Sequence, residues 1–258
     1  MPSFFTRDSD DIFVPSAHTI GPWNDTSQHG GPPSALLGWC VERAPGGEDK
    51  QVARIVLDIL RPVPIEPLKV SVEVTRPGKR VDLVEASLWA EGQEVMRASA
   101  WRIVRNELEL PYEAKTVTPP PRREATPAKT FPPPSDPNYL TSMEWLMTSG
   151  DFTKPGPAAG WMRTLHPLIE EEENTPLTHV LIAVDSASGI SAVLDWPKWL
   201  FINVDLVVHL HRYPQGEWIH MDAKTIPQPH GIGLATSMVS DDQGPLGVTA
   251  QSLLLAPR

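Results

Sequence analysis

Of 258 residues only one is a cysteine, Cys40. No internal disulfide can form, and a lone thiol in an apolar run packs rather than reacts. Positive charge is scarce: 22 Lys and Arg against 32 Asp and Glu leave a net charge of −10. That balance excludes broad nucleic-acid binding while leaving room for a local basic pocket. No apolar run reaches the roughly 20 residues of a membrane-spanning helix. The opening Met-Pro-Ser-Phe-Phe-Thr-Arg-Asp lacks the basic-then-apolar layout of a secretory signal, so a cytoplasmic protein is expected. There is no Gly-x-Ser-x-Gly nucleophile elbow, because Gly189-Ile-Ser-Ala-Val departs from it. Nor is there a phosphate-cradling motif. His209 and His211 alternate onto one face of a strand, but a metal site needs further ligands, and none is expected.

What is present is an ordinary globular composition, 40% hydrophobic and 21% charged, in a chain long enough to bury a core. Proline is concentrated: Pro111, Pro119 to Pro121, Pro127, Pro132 to Pro134 and Pro137 fall within 111–137. That density prevents helix and central strand alike, so an extended linker is expected there. On either side lie two stretches of the same layout. Arg61 and Arg212 differ by 212 − 61 = 151, Glu66 and Glu217 by 217 − 66 = 151, and Gly38 and Gly189 by 189 − 38 = 151. Before the linker, the spacing predicts a helix over 33–44 and strands over 51–59, 68–75, 81–89 and 95–104. After it, a strand over 161–171 is one reading, and 139–160 is ambiguous. A helix over 177–195 and strands over 201–211, 218–225, 231–239 and 246–255 follow. Such a long repeat is one small domain present twice rather than a solenoid unit. One helix wrapped by a curved antiparallel sheet is a hotdog layout. The fold expected is therefore α+β, with two tandem hotdog domains (1–110 and 138–258) joined by the linker as a built-in pseudo-dimer.

The offset also shows where the copies differ. Asp185 corresponds to Ser34, Asn203 to Val52 and Gln251 to Ala100, since 185 − 34, 203 − 52 and 251 − 100 all equal 151. Three polar groups in the second copy thus replace small or apolar residues of the first. A buried polar group costs about 1–3 kcal/mol unless paired. Gathering three in one copy points to chemistry, with partial exposure or backbone bonding as the plain alternative. A carboxylate at a helix start is favoured by the helix dipole and can deprotonate a water. Asn and Gln can orient that water, and free N–H groups at the helix start can receive an oxyanion. The pattern suits hydrolysis without a metal or covalent nucleophile.

His29-Gly-Gly-Pro-Pro-Ser-Ala-Leu-Leu, Ala183-Val-Asp185-Ser-Ala-Ser-Gly, Phe201-Ile-Asn203-Val-Asp205 and Thr249-Ala-Gln251-Ser together resemble the thioesterase-like double-hotdog proteins. In particular they resemble the bacterial acyl-CoA thioesterase II group. The resemblance spans roughly 15–110 and 160–256. It implies hydrolysis of an acyl-CoA to free acid and CoA, with CoA as part of the substrate and no separate cofactor. In that family an Asp, a Thr or Ser, and a Gln hold the hydrolytic water. Asp185 and Gln251 match; Asn203 stands where the family has a hydroxyl, which is a departure. Double-hotdog chains often pair further, so a homodimer is also an expectation from the resemblance.

Two other function classes stay open at this point. A non-catalytic acyl-CoA or lipid-binding protein draws support from Asn203. A hydratase of the same fold uses an Asp followed five residues later by His, where this chain has Ile190. His29 is read either as a ligand contact or as a residue packing its turn, and Asp205 either as a second carboxylate of the site or as structural. Trp39, Trp89, Trp196 and Trp199 are read as acyl-channel lining or as core. The first copy is expected to be a scaffold and the second to carry the reaction.

Overall fold

The computed structural model describes residues 2–111, 118–129 and 136–258. Residues 112–117 and 130–135 of the expected linker lie outside the described residues. Two short strands that the sequence pattern did not announce, β1 (Phe5–Arg7) and β2 (Ile12–Pro15), precede helix α1 (Gly31–Arg43). Strands β3 (Lys50–Ile59), β4 (Leu68–Arg76), β5 (Val81–Ala90) and β6 (Gln93–Val104) follow. After β7 (Thr126–Pro127) come β8 (Met143–Asp151), β9 (Lys154–Thr164), helices α2 (Pro176–Val184) and α3 (Ala187–Ile190), and strands β10 (Trp199–Asn203) and β11 (Asp205–Leu210). The chain ends in β12 (Ile219–Pro227), β13 (Ile232–Asp241) and β14 (Gly244–Pro257). Thus the ambiguous 139–160 contains β8, and the strand read over 161–171 lies earlier, as β9.

All strands belong to one antiparallel sheet, in which β4-β5-β6-β3 of the first half continues into β11-β14-β13-β12-β9-β8 of the second. The halves meet where β3 pairs with β11, with Val56 opposite Val207. Because 207 − 56 = 151, the repeat offset makes these two residues equivalents of each other, and a pseudo-twofold axis passes between them. The register agrees further out. Val56 pairs with Ser99 and Val207 with Ala250, where 250 − 99 = 151. Val52 pairs with Arg102 and Asn203 with Leu253, where 253 − 102 = 151. Both inner strands bulge at the same place, after Val52 and at Val204, and in the second half the bulge separates β10 from β11.

Helix α1 lies over β3 to β6, α2 over β9 and β12, and α3 over β12 and β13. Alpha1 is buried on every side from Gly31 to Trp39, so its pattern is apolar all round rather than amphipathic. Pro32 and Pro33 are tolerated because first-turn N–H groups have no helical partner. Pro176 starts α2 in the same way, after Thr175, whose hydroxyl accepts from Thr178 N at 3.3 Å. The helix expected over 177–195 is broken. It ends at Val184, resumes for four residues as α3, and is not continued beyond Ile190. A single buried cluster runs through both halves, from Leu36 and Leu57 to Leu181 and Leu206. Among the described residues no helix is long and apolar enough to cross a membrane.

The far end of α1 is tied to the sheet by a buried charge cluster. Arg102 on β6 donates to Val41 O at 3.1 Å, which also accepts from Ala44 N, and to Ala44 O at 2.7 Å. Its Nε and Nη2 also donate to the two oxygens of Asp82, each at 2.9 Å, while Lys50 lies 3.0 Å from the same carboxylate. Burial opposes ionisation of Asp82, but the hydrogen bonds from Arg102 and Lys50 outweigh it and hold its carboxyl below the usual range. Truncating Arg102 leaves that buried charge half-compensated. Arg102→Met is expected to lose about 3–5 kcal/mol of stability, measured as a drop in the free energy of urea unfolding.

Candidate active site

The break between α2 and α3 places Asp185, and the expectation of a carboxylate at a helix N-terminus is corrected by it. Asp185 follows the last residue of α2 as its C-cap, so the dipole of its own helix does not favour its charge. Its counterpart Ser34 is the fourth residue of α1, not the first, and spends its hydroxyl on Gly30 O at 2.6 Å. Asp185 is instead aimed across the seam at the start of the other half's helix. A Cβ on Gly30 would lie 2.7 Å from Asp185 Oδ2, and one on Gly31 would collide with the carbonyl oxygen of Ile182. Only glycine lets the two helices approach this closely. The helix start at the site therefore belongs to α1, where Pro32 and Pro33 carry no N–H and Gly31 N is the donor that remains.

The structure brings Asp185, Asn203 and Gln251 together, by direct bonds. Asn203, the last residue of β10, donates through Nδ2 to Asp185 Oδ1 at 2.8 Å and to Asp205 O at 3.2 Å. Gln251, fully buried on β14, donates through Nε2 to Asp185 Oδ1 at 3.2 Å and to the Asp185 carbonyl at 3.0 Å. Its Oε1 accepts from Ser188 N at 3.2 Å, so the amide bridges the helix break and holds α3 against α2. Both amides thus orient the carboxylate, whereas the sequence led us to expect them to face a water. Asp205 is turned away: its Oδ1 accepts from Ser252 N at 2.5 Å, and it does not line the cavity. That supports its structural reading.

Asp185 Oδ2 faces His29, whose Nδ1 lies 3.2 Å away. The ring stacks on Tyr139, with centroids 3.6 Å apart and planes 5° from parallel. The Tyr139 hydroxyl in turn donates to Ile182 O at 2.7 Å and lies 2.9 Å from Ser186 Oγ. Gly31 N also points at His29 Nδ1, at 3.1 Å. One ring nitrogen can serve only one of these neighbours: as an acceptor it binds Gly31 N–H, and as a donor it binds Asp185. His29 therefore links the carboxylate to the helix start. Sequence reasoning singled it out without linking it to Asp185, and missed Tyr139 in the ambiguous segment; neither contact leaves a local signal.

Asp185, Asn203, His29 and Gly30 line a cavity of about 330 Å³ to which both halves contribute. Trp23, Trp196 and Phe201 line it too. Trp23 stacks on Trp196 at 4.0 Å, and both meet Phe201 edge-on at 5.2 Å. Of the tryptophans considered as channel lining, only Trp196 is there. Trp39 is buried against Phe13, Trp89 bonds Ser71 at 3.2 Å, and Trp199 lies at the sheet margin. The first half is thus more than a scaffold, since His29, Gly30 and Gly31 come from it.

Burial pushes His29 below the ordinary imidazole range, against the pull of Asp185. His18, His166, His179 and His220 shift the same way through burial, the last to about 4. The unfolded chain then binds protons more readily than the folded one. The contribution of these histidines to stability is complete above about pH 6.5 and is lost as pH drops below it. His29→Gln is expected to flatten part of that fall in urea titrations between about pH 7 and pH 5.

Residues 117–255 match the acyl-CoA thioesterase C-terminal domain family, and residues 19–103 match the corresponding N-terminal domain family. No curated protein matches in sequence. A candidate thioesterase II from Thermobifida fusca superposes with a TM-score of 0.77 at 16% identity, over 98% of this chain and 95% of that one. A hot dog fold protein from Alicyclobacillus acidocaldarius gives 0.73 at 15% identity, over 98% and 95%. An acyl-CoA thioesterase II from Mycobacterium marinum gives 0.69 at 15%, again over 98% and 95%. These likenesses show the double-hotdog fold.

Proposed function

We propose that this chain, which belongs to the acyl-CoA thioesterase family, hydrolyses acyl-CoA thioesters to free acid and CoA with Asp185 as general base. The observation that carries the reading is the division of labour between the two carboxylate oxygens. Oδ1 is held by Asn203 and Gln251, while Oδ2 looks across the seam toward His29 and Gly30.

A water bound to Oδ2 would be oriented by a carboxylate that cannot rotate. It attacks the thioester carbonyl carbon as its proton passes to Asp185. The oxygen that becomes negative would be received by Gly31 N–H, which is free for it in the His29 tautomer that carries its proton on Nδ1 and donates to Asp185. Collapse of the tetrahedral intermediate breaks the C–S bond, and the departing thiolate takes the proton held by Asp185. The apolar group formed by Trp23, Trp196 and Phe201 suits the acyl chain. Asn203 in place of a family hydroxyl does not weigh against hydrolysis. In this chain Nδ2 at that position donates to Oδ1 at 2.8 Å and so fixes the carboxylate. For a hydratase the residue five beyond Asp185 would need to be a His, and Ile190 is fully buried.

Asp185→Asn keeps the shape of the side chain and removes the base. It is expected to lower kcat for release of free thiol from acyl-CoA by about 10²–10⁴-fold, with thermal unfolding little changed. Asn203→Thr is expected to stay within about tenfold of the parent, a difference of roughly 1.4 kcal/mol, whereas Asn203→Leu is expected to lose most activity. Parent-like turnover in Asp185→Asn would sink the proposal.

A further inference from the structure

The two arginines that mark the repeat have different surroundings. Arg212 is clamped by Asp241, with Nη1 to Oδ2 at 2.7 Å and Nη2 to Oδ1 at 2.5 Å, and it also donates to Gly244 O at 2.8 Å. Asp241 is fully buried and takes two further bonds, from Gln215 N and Gln243 N, each at 2.8 Å. In the first half the same hairpin position is Ala90. Ala90 pairs with Gln93 as Asp241 pairs with Gly244, and 241 − 90 and 244 − 93 both equal 151. Arg61 has lost the partner of its counterpart. It makes no ion pair among the described residues, it is exposed, and it lines the cavity that holds Asp185.

Arg61 is the one Lys or Arg among the described residues lining that cavity, in a chain whose net charge is −10. Its backbone is anchored, since its N–H donates to Val95 O at 3.2 Å and Pro62 follows it, so the guanidinium is presented from a fixed base. A second group lining the cavity is also incompletely bonded. Gln28 is 8% exposed; its Nε2 donates to Pro64 O at 2.7 Å, but its buried Oε1 has no donor among the described residues. A buried acceptor left without a partner carries a cost that an amide-bearing ligand can relieve. Aromatic rings, the carboxylate and an unpaired guanidinium thus share one cavity.

We propose that Arg61 reads the carrier end of the substrate by taking the 4′-phosphate of its phosphopantetheine arm. This rests on the thioesterase reading, which makes the substrate a thioester of such an arm. The 4′-phosphate is the first anion reached along the arm from the sulfur, at the far end of the pantetheine chain, and Arg61 is exposed on the same cavity that Asp185 lines. A planar guanidinium with no competing carboxylate is suited to a bidentate phosphate bond.

Calorimetry with non-hydrolysable S-alkyl thioethers of CoA, of phosphopantetheine and of pantetheine tests this independently of turnover. The parent protein is expected to bind the two phosphate-bearing thioethers more tightly than the pantetheine one. Arg61→Ala is expected to erase that preference, weakening both by about 10- to 100-fold, the range for a hydrogen bond to a charged group, and to leave the pantetheine thioether unaffected. Arg61→Lys is expected to restore part of it. Absence of a phosphate preference in the parent, its survival in Arg61→Ala, or its restriction to the CoA thioether would each overturn the assignment. Thiol release from acyl-CoA is scored separately. Arg61-dependent binding without turnover would refute hydrolysis and keep the phosphate site, and turnover without that dependence would do the reverse.

Discussion

The pairing of β3 with β11 is the constraint on which the rest depends. With Val56 opposite Val207, each inner strand becomes the neighbour of its own equivalent, and the two helices are brought together above the join. The approach is so close that Gly31 meets the carbonyl of Ile182, and these two are again equivalents, since 182 − 31 = 151. The residues of the candidate site gather at this axis. Asp185 comes from one side of it and His29 with Gly30 from the other, while Ile59 N donates to Val204 O at 2.9 Å just beyond. A slip of one residue in the β3–β11 register would turn the inward faces outward and scatter the site.

Much of this was legible in the chain because its causes are local or periodic. Alternation of apolar and polar residues with Gly and Pro breaks marks β4, β5, β13 and β14, and the offset of 151 carries through both bulges into the register. Comparing the copies selects Asp185, Asn203 and Gln251 because burial makes an unmatched polar residue conspicuous. The break at Asp185 was hidden for the opposite reason. Ser186, Ala187, Ser188 and Gly189 continue a small-residue pattern that reads as helix, and what interrupts it is the side chain of Gln251, 66 residues away, bound to the Asp185 carbonyl. The helix start that faces the carboxylate was assigned to the wrong copy because contacts between copies leave no mark on either one. The short strands β1 and β2 lie below the length at which alternation can be read.

The copies have specialised in opposite directions. Where the first half buries Arg102 and Asp82 to fasten the end of α1, the second has Leu253 and Gly233, at 253 − 102 = 151 and 233 − 82 = 151. Leu253 instead packs with Phe201 and Leu255 against Trp23 and Trp196, the rings that border the cavity. One half uses buried charge for rigidity, and the other uses the same location to wall a cavity. Rigidity at one end of α1 therefore fixes the position of Gly30 and Gly31 at the other, within reach of Asp185.

The bond between Gln251 and the interrupted helix has one more consequence. In an isologous pair of identical subunits every substitution is made twice, so a helix cannot be broken on one side of the axis and kept whole on the other. Here α1 runs unbroken through Ser34 while its equivalent is cut at Asp185. Covalent fusion of the copies is what permits that difference. It reduces the number of Asp185-type centres to one per pair of folds, and it frees the vacated side of the axis to vary for stability alone.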